Sequence, residues 1–167
     1  MHIYLIDTHS REYEIYNQQK NRINYVRQSV FKKQLYNDKK EKVAEIGMPV
    51  LRKLKPVYKI RTDTGICRMR RTRRNRYRIS PYNWKLRIKK GKGIIHSGRS
   101  VLAEIYREHS DGYDVYIMDI KKGTDTVLMA GILTVIAQDA GGYDMLNGAA
   151  DKSVAKSFGI IEASVPN

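Results

Sequence analysis

The sequence predicts a mainly β fold, an antiparallel barrel or sandwich of about a dozen short strands with one wholly apolar helix near the C-terminus. Three observations carry this. Short segments of alternating apolar and polar residues recur at hairpin spacing with turn residues between them. Tyrosine dominates the aromatic residues, with 12 Tyr against 2 Phe and 1 Trp, and tyrosine suits half-buried strand positions where the ring packs and the hydroxyl stays wet. No helical pattern of 10 to 15 residues separates the segments, as βαβ units require.

In chain order the predicted strands are Ile3–Ile6, Glu12–Asn17, Arg22–Arg27, Lys33–Asn37, Lys42–Gly47, Val57–Arg61, Ile66–Arg70, Arg76–Ile79, Trp84–Lys89, Gly93–His96, Ser100–Arg107 and Tyr113–Met118. A weak repeat reinforces them: Glu14-Ile15-Tyr16-Asn17 before Arg22–Val26 matches Gln34-Leu35-Tyr36-Asn37 before Lys42–Ile46, and Lys59–Asp63 before Gly65–Met69 continues the series. Each unit is a strand, a polar turn and a returning strand, so a meander of hairpins is expected.

Residues 125–139 break the alternation. Thr124 or Asp125 can cap a helix there, and Gly141-Gly142 can stop it. Apolar residues surround the whole helical wheel, which demands burial on every side. At about 1.5 Å per residue such a helix spans about 22 Å, the reach of a strand of six or seven residues, so it can thread a barrel built from these strands. The competing reading is a final buried strand pair, because Val, Ile and Thr favour strands and Gly131 weakens a helix by about 1 kcal/mol.

This order of hairpins and helix resembles the LURP-one-related family, within the tubby C-terminal-like superfamily that also contains the phospholipid scramblases. The likeness rests on the repeated hairpins, the strand pair Ser100–Tyr106 and Tyr113–Ile117, and the helix Thr126–Gln138, and it covers roughly residues 1–140. It implies a closed twelve-stranded barrel around a central helix. Residues 141–167 extend beyond many relatives as a tail, a short helix over 149–158 or an added strand over 159–163. The dense arginine cluster is a second departure from the family pattern.

That cluster holds the charge imbalance. Of a formal net charge of +15, the segment Arg52–Lys92 contributes 17 Lys or Arg against the single acid Asp63, while the remainder holds 15 bases and 16 acids. The cations alternate with apolar residues at strand spacing, so Tyr77, Ile79, Trp84, Leu86 and Ile88 are expected inward and their neighbours outward. The candidate anion-binding residues are Arg68, Arg70, Arg71, Arg73, Arg74, Arg76, Arg78, Lys85, Arg87 and Lys89. Tubby relatives dock phosphoinositides, so the resemblance implies anionic lipid head groups as partner. Nucleic acid is the alternative polyanion, with Tyr82 as an exposed stacking platform. A protein partner contacting an edge or the tail, with the basic face merely solvated, is the third reading.

Enzymatic chemistry and a cofactor are not expected. Cys67 is the lone cysteine, which excludes an intrachain disulfide and a multi-cysteine zinc site. His2, His9, His96 and His109 show no metal-ligand spacing, Ser97 and Ser153 sit in no nucleophile elbow, and Lys89-Lys90-Gly91-Lys92-Gly93 lacks the pattern of a nucleotide loop. Asp111, Asp114, Asp119 and Asp125 read as turn and capping residues before a calcium site, though scramblases use calcium. The N-terminus reads as a strand and not a secretory signal. The apolar stretch Val127–Ala137 is shorter than the roughly 20 residues that cross a bilayer, so a cytoplasmic protein, able to sit peripherally on a membrane, is expected.

Overall fold

The computed structural model describes residues 1–7, 12–49, 56–110, 113–139 and 146. It contains strands β1 (His2–Asp7), β2 (Tyr13–Asn17), β3 (Arg22–Gln28), β4 (Lys32–Asn37), β5 (Lys42–Gly47) and β6 (Val57–Thr62). These are followed by β7 (Gly65–Arg73), β8 (Arg76–Ser80), β9 (Trp84–Lys89), β10 (Lys92–Ser97), β11 (Ser100–Ser110), β12 (Tyr113–Ile120) and the helix α1 (Thr126–Gln138). Each strand pairs antiparallel with its successor, and β1 pairs with β12 to close the barrel.

Local sequence chemistry sets the hairpins. In the β2–β3 turn the Asn17 side chain accepts from the backbone of Gln19 and Asn21 at 2.9 and 3.0 Å. In the β4–β5 turn Asn37 accepts from Glu41 at 2.9 Å. Lys20 and Lys40 take the left-handed conformation at φ 64° and 65°, so the two repeat units seen in the sequence close by the same device.

The helix begins where Asp125 caps it, the carboxylate accepting from Leu128 N at 3.0 Å. Leu128 through Ala137 are all buried, and Thr134 satisfies its hydroxyl by donating to Ala130 O at 2.8 Å. The inner face of the barrel surrounds this rod with Ile3, Leu5, Ile15, Val26, Leu35, Ile46, Ile60, Met69, Ile79, Leu86, Ile95 and Ile105, among others. Gly131 permits the closest approach: a Cβ there would lie 2.8 Å from Ile60 Cγ2. The buried strand pair weighed for this stretch is therefore not what forms; a helix makes all its backbone hydrogen bonds within itself, so it suits a site enclosed by strands already paired to one another.

Because neighbouring strands run in opposite directions, their connections alternate between two rims. Thr64 of the β6–β7 turn donates to Asp125 at 3.3 Å, which places that turn at the N-terminal end of the helix. The opposite rim carries the β3–β4, β7–β8 and β9–β10 connections and the helix C-terminus, where Asp139 is held. The outer walls differ in character. Across β1 and β12, Tyr4 faces Ile117 and Ile6 faces Val115 on the outer side, a second buried apolar cluster joined by Tyr16 and Tyr106. The wall on the other side of the barrel is basic.

Residue 140 and the extension 141–167, apart from Leu146, lie outside the described residues, as do the predicted helix stop, the alternatives for the tail, and Arg52, Lys53 and Lys55 of the basic segment.

Candidate functional site

Strands β6 to β9 alternate strictly. Tyr58, Ile60, Cys67, Met69, Tyr77, Ile79, Leu86 and Ile88 are buried, and the cations between them are exposed. Register then assembles the exposed set: Lys59 stands opposite Arg68, Arg70 opposite Arg78, Arg78 opposite Lys85, and Arg76 opposite Arg87. Arg73 and Lys89 extend these rows to the rim at the helix C-terminus. Adjacent strands lie about 4.8 Å apart, so this is a sheet-borne lattice of guanidinium and ammonium groups.

Its pairing separates it from the rest of the barrel. On the other strands, Arg22 bonds Glu14 at 2.9 Å, Lys32 bonds Glu45 at 3.0 Å and Lys92 bonds Glu104 at 2.6 Å. Arg27, Lys42 and Arg107 likewise have carboxylate partners, and Lys33 lies over the Tyr13 ring at 3.9 Å. Among the described residues, no carboxylate pairs with Lys59, Arg61, Arg68, Arg70, Arg73, Arg76, Arg78, Lys85, Arg87 or Lys89. Lys59 and Arg61 were missing from the sequence-derived set, although their alternation with Tyr58 and Ile60 is the same signal.

The lattice is not uniform. Thr72, Arg73, Arg76, Arg78, Lys85 and Arg87 border a concavity of about 290 Å³, floored by Tyr77 and Leu86. Its volume is near the lower end for small-ligand sites, and five cations converge on it. At the far end of β8 and β9, Tyr82 stacks on Trp84 with ring centroids 4.5 Å apart. Trp84 packs partly into the core, which leaves Tyr82 as the exposed ring.

One candidate leaves the wall. Arg71 was grouped with the outward cations, but it follows the buried Met69 by two residues and stands opposite the buried Tyr77, ahead of the β7–β8 bulge, so strand alternation itself turns it toward the barrel interior. There Arg71 Nη1 donates to Asp139 Oδ1 at 2.7 Å, with the carboxylate side chain only 2% exposed. Tyr58 donates to Asp139 Oδ2 at 3.0 Å. Burial, with the neighbouring Asp139 charge, pushes the Tyr58 phenol well above its ordinary range. No residue near Arg71 in sequence announces this pairing, since its partner lies 68 positions away.

Burial pushes the Cys67 thiol up to about 11, so little thiolate exists at neutral pH. Asp114 is held below the usual carboxylate range by His109 and Arg107 against the opposing effect of burial, which is the largest single influence. Asp125 caps α1, and Asp119 sits beside the N-terminal amine at 3.5 Å. Asp111 lies outside the described residues. Among the described residues no cluster of three His, Cys, Asp or Glu is placed to hold a metal ion. Among the described residues no helix is long and apolar enough to cross a membrane.

No protein-family model and no curated protein matches the sequence. Among solved structures, the crystal structure of a protein from Arabidopsis thaliana is similar, with a TM-score of 0.57 over 80% of this chain and 88% of that one, at 13% identity. At that identity the likeness shows a shared fold: a closed antiparallel barrel of twelve strands with a helix packed against them.

Proposed function

We propose that this protein is a non-enzymatic binding module that docks the anionic head groups of a phospholipid surface through the wall formed by β6 to β9. The observation that carries the reading is the division of ion pairs among the described residues: strand cations elsewhere are neutralised by carboxylates or stacked on a ring, and those on this wall meet no carboxylate there. Directly opposed like charges on neighbouring strands are unfavourable, and an external polyanion relieves them. Each Lys or Arg held near an anionic membrane contributes about 1 kcal/mol, so half of this wall suffices to retain the barrel at a surface. The order of twelve strands and a central helix also supports the kinship with the LURP-one-related family that the sequence suggests.

Co-sedimentation with vesicles tests this. Binding is expected to require anionic lipid and to weaken as salt rises. Replacing Arg76, Arg78, Lys85 and Arg87 together by Ala is expected to weaken it about a hundredfold or more; binding that persists unchanged overturns the reading.

A second reading, single-stranded nucleic acid, draws on the stacked Tyr82 and Trp84 at the end of the basic rows. Retardation of RNA or DNA probes that Tyr82→Ala relieves, in a protein that ignores anionic vesicles, favours it.

A further inference from the structure

The rim that carries the helix C-terminus has an apolar point. Val30 and Phe31, in the connection between β3 and β4, are 82% and 66% exposed, the two most exposed large apolar side chains described. Two such side chains on a convex tip are too few for the core of a stable protein interface, which takes about 800 Å² from each partner. They do match the depth to which amphipathic elements enter a bilayer, about 5–10 Å.

Part of the backbone of this tip is already hydrogen-bonded within the protein. Ser29 N donates to Lys32 O at 2.8 Å, and Phe31 O accepts from Met48 N at 3.1 Å. These groups lose no hydrogen bond to water when the tip is covered, which lowers the cost of desolvating the loop. The same rim holds exposed Arg73, Lys89 and Lys90 on the β7–β8 and β9–β10 hairpins. The concavity bordered by Arg73, Arg76 and Arg87 opens on the half of the basic wall nearest this rim. One approach of the rim therefore presents cations and an apolar tip to the same surface.

Resting on the docking reading above, we propose that Val30 and Phe31 form a wedge that enters the head-group and acyl boundary of an anionic bilayer while the wall cations hold the head groups. The ligand is thus an intact membrane surface, and not a free phosphate or a detached head group. The cations provide attraction to the surface; the wedge provides residence, because its apolar area leaves water only when a bilayer is present.

The test places a reporter at the tip. Phe31→Cys supplies an accessible thiol, while Cys67 is buried with its thiol pushed up to about 11, so an environment-sensitive dye attaches at position 31 alone. The labelled protein is mixed with phosphatidylcholine vesicles with and without phosphatidylserine. The proposal expects a blue shift, and quenching by shallow spin-labelled lipid, only with phosphatidylserine present. It also expects Val30→Ser combined with Phe31→Ser to weaken vesicle binding about tenfold or more, with its salt dependence retained. Normal co-sedimentation with a dye that stays in water overturns the wedge and leaves the docking reading standing. Absence of vesicle binding by the unlabelled parent protein overturns both, and binding to soluble inositol phosphates as tight as to vesicles overturns the wedge alone.

Discussion

Arg71 and Asp139, 68 residues apart, meet at 2.7 Å and tie β7 to the end of the central helix. Asp139 follows the last helical residue, and its backbone N–H still reaches back to Val135 O at 2.9 Å. Its two carboxylate oxygens are divided between Arg71 and Tyr58, so the helix exit is fastened to two neighbouring strands at once. Alternation continued from Met69 aims Arg71 inward to make this connection, and the bulge that follows returns Arg73 to the outer face opposite Arg76.

Asp139→Ala is expected to destabilise the fold by about 3 kcal/mol, because it leaves a mostly buried guanidinium without its carboxylate. Denaturant unfolding measures this. Vesicle binding by the folded variant is expected to match the parent protein, since Arg71 takes no part in the wall. A drop in binding without loss of stability contradicts the placement.

Gly131→Ala is expected to destabilise by roughly 1–3 kcal/mol through overpacking against Ile60, even though alanine is the better helix former. In an Ile60→Ala background the same substitution becomes neutral or favourable, and a double-mutant cycle reads the coupling. Additive effects in that cycle refute the close contact.

Lys33 points inward from β4, and burial lowers its pKa from 10.5 to about 8, with the Asp7 charge acting in the opposite sense. Between those values the folded chain binds fewer protons than the unfolded one, so this residue makes stability rise with pH from about 8 to 10.5. Cys67, raised from 9.0 to about 11, acts against it over that range and lowers stability as pH rises. Comparison of Lys33→Met with the parent protein isolates the lysine. The variant is expected to be more stable at pH 7, by an amount on the order of 2 kcal/mol, and the difference closes toward pH 10.5. A difference independent of pH contradicts a buried ammonium.

Arg78 stands between Arg70 and Lys85 on neighbouring strands. Arg78→Glu is expected to raise the unfolding midpoint at low salt, with the gain fading as salt is added, and to weaken vesicle binding in the same samples. Stability and affinity moving in opposite directions is the signature of a surface kept charged for a partner. A fall in both assigns Arg78 a structural role.

Much of this architecture is written locally. Alternation located all twelve strands, because strands such as β8 and β9 bury one face and wet the other, and period two is then compulsory. It ended β7 at Arg70, since Arg71, Thr72 and Arg73 offer no apolar residue to continue the pattern, yet their backbone pairs with β8 through the bulge. The helix was legible from an apolar stretch without alternation, and only the barrel itself decides between helix and buried strand there. The basic wall was legible wherever cations alternate with core residues. The inward turn of Arg71 was legible from the same alternation, two residues past Met69, while its pairing with Asp139, distant in sequence, is something no periodicity encodes. The exposure of Val30 and Phe31 was equally hidden, because an apolar pair in a turn reads the same whether it packs or projects.

The ring of strands also limits how anything can be recognised. With β1 joined to β12, every strand has neighbours on both sides, and the barrel has no open margin where a visiting peptide or a second copy adds itself by main-chain pairing. Recognition on the barrel wall is therefore written in side chains alone, which leaves its specificity free to change by point substitution while the ladder beneath stays untouched.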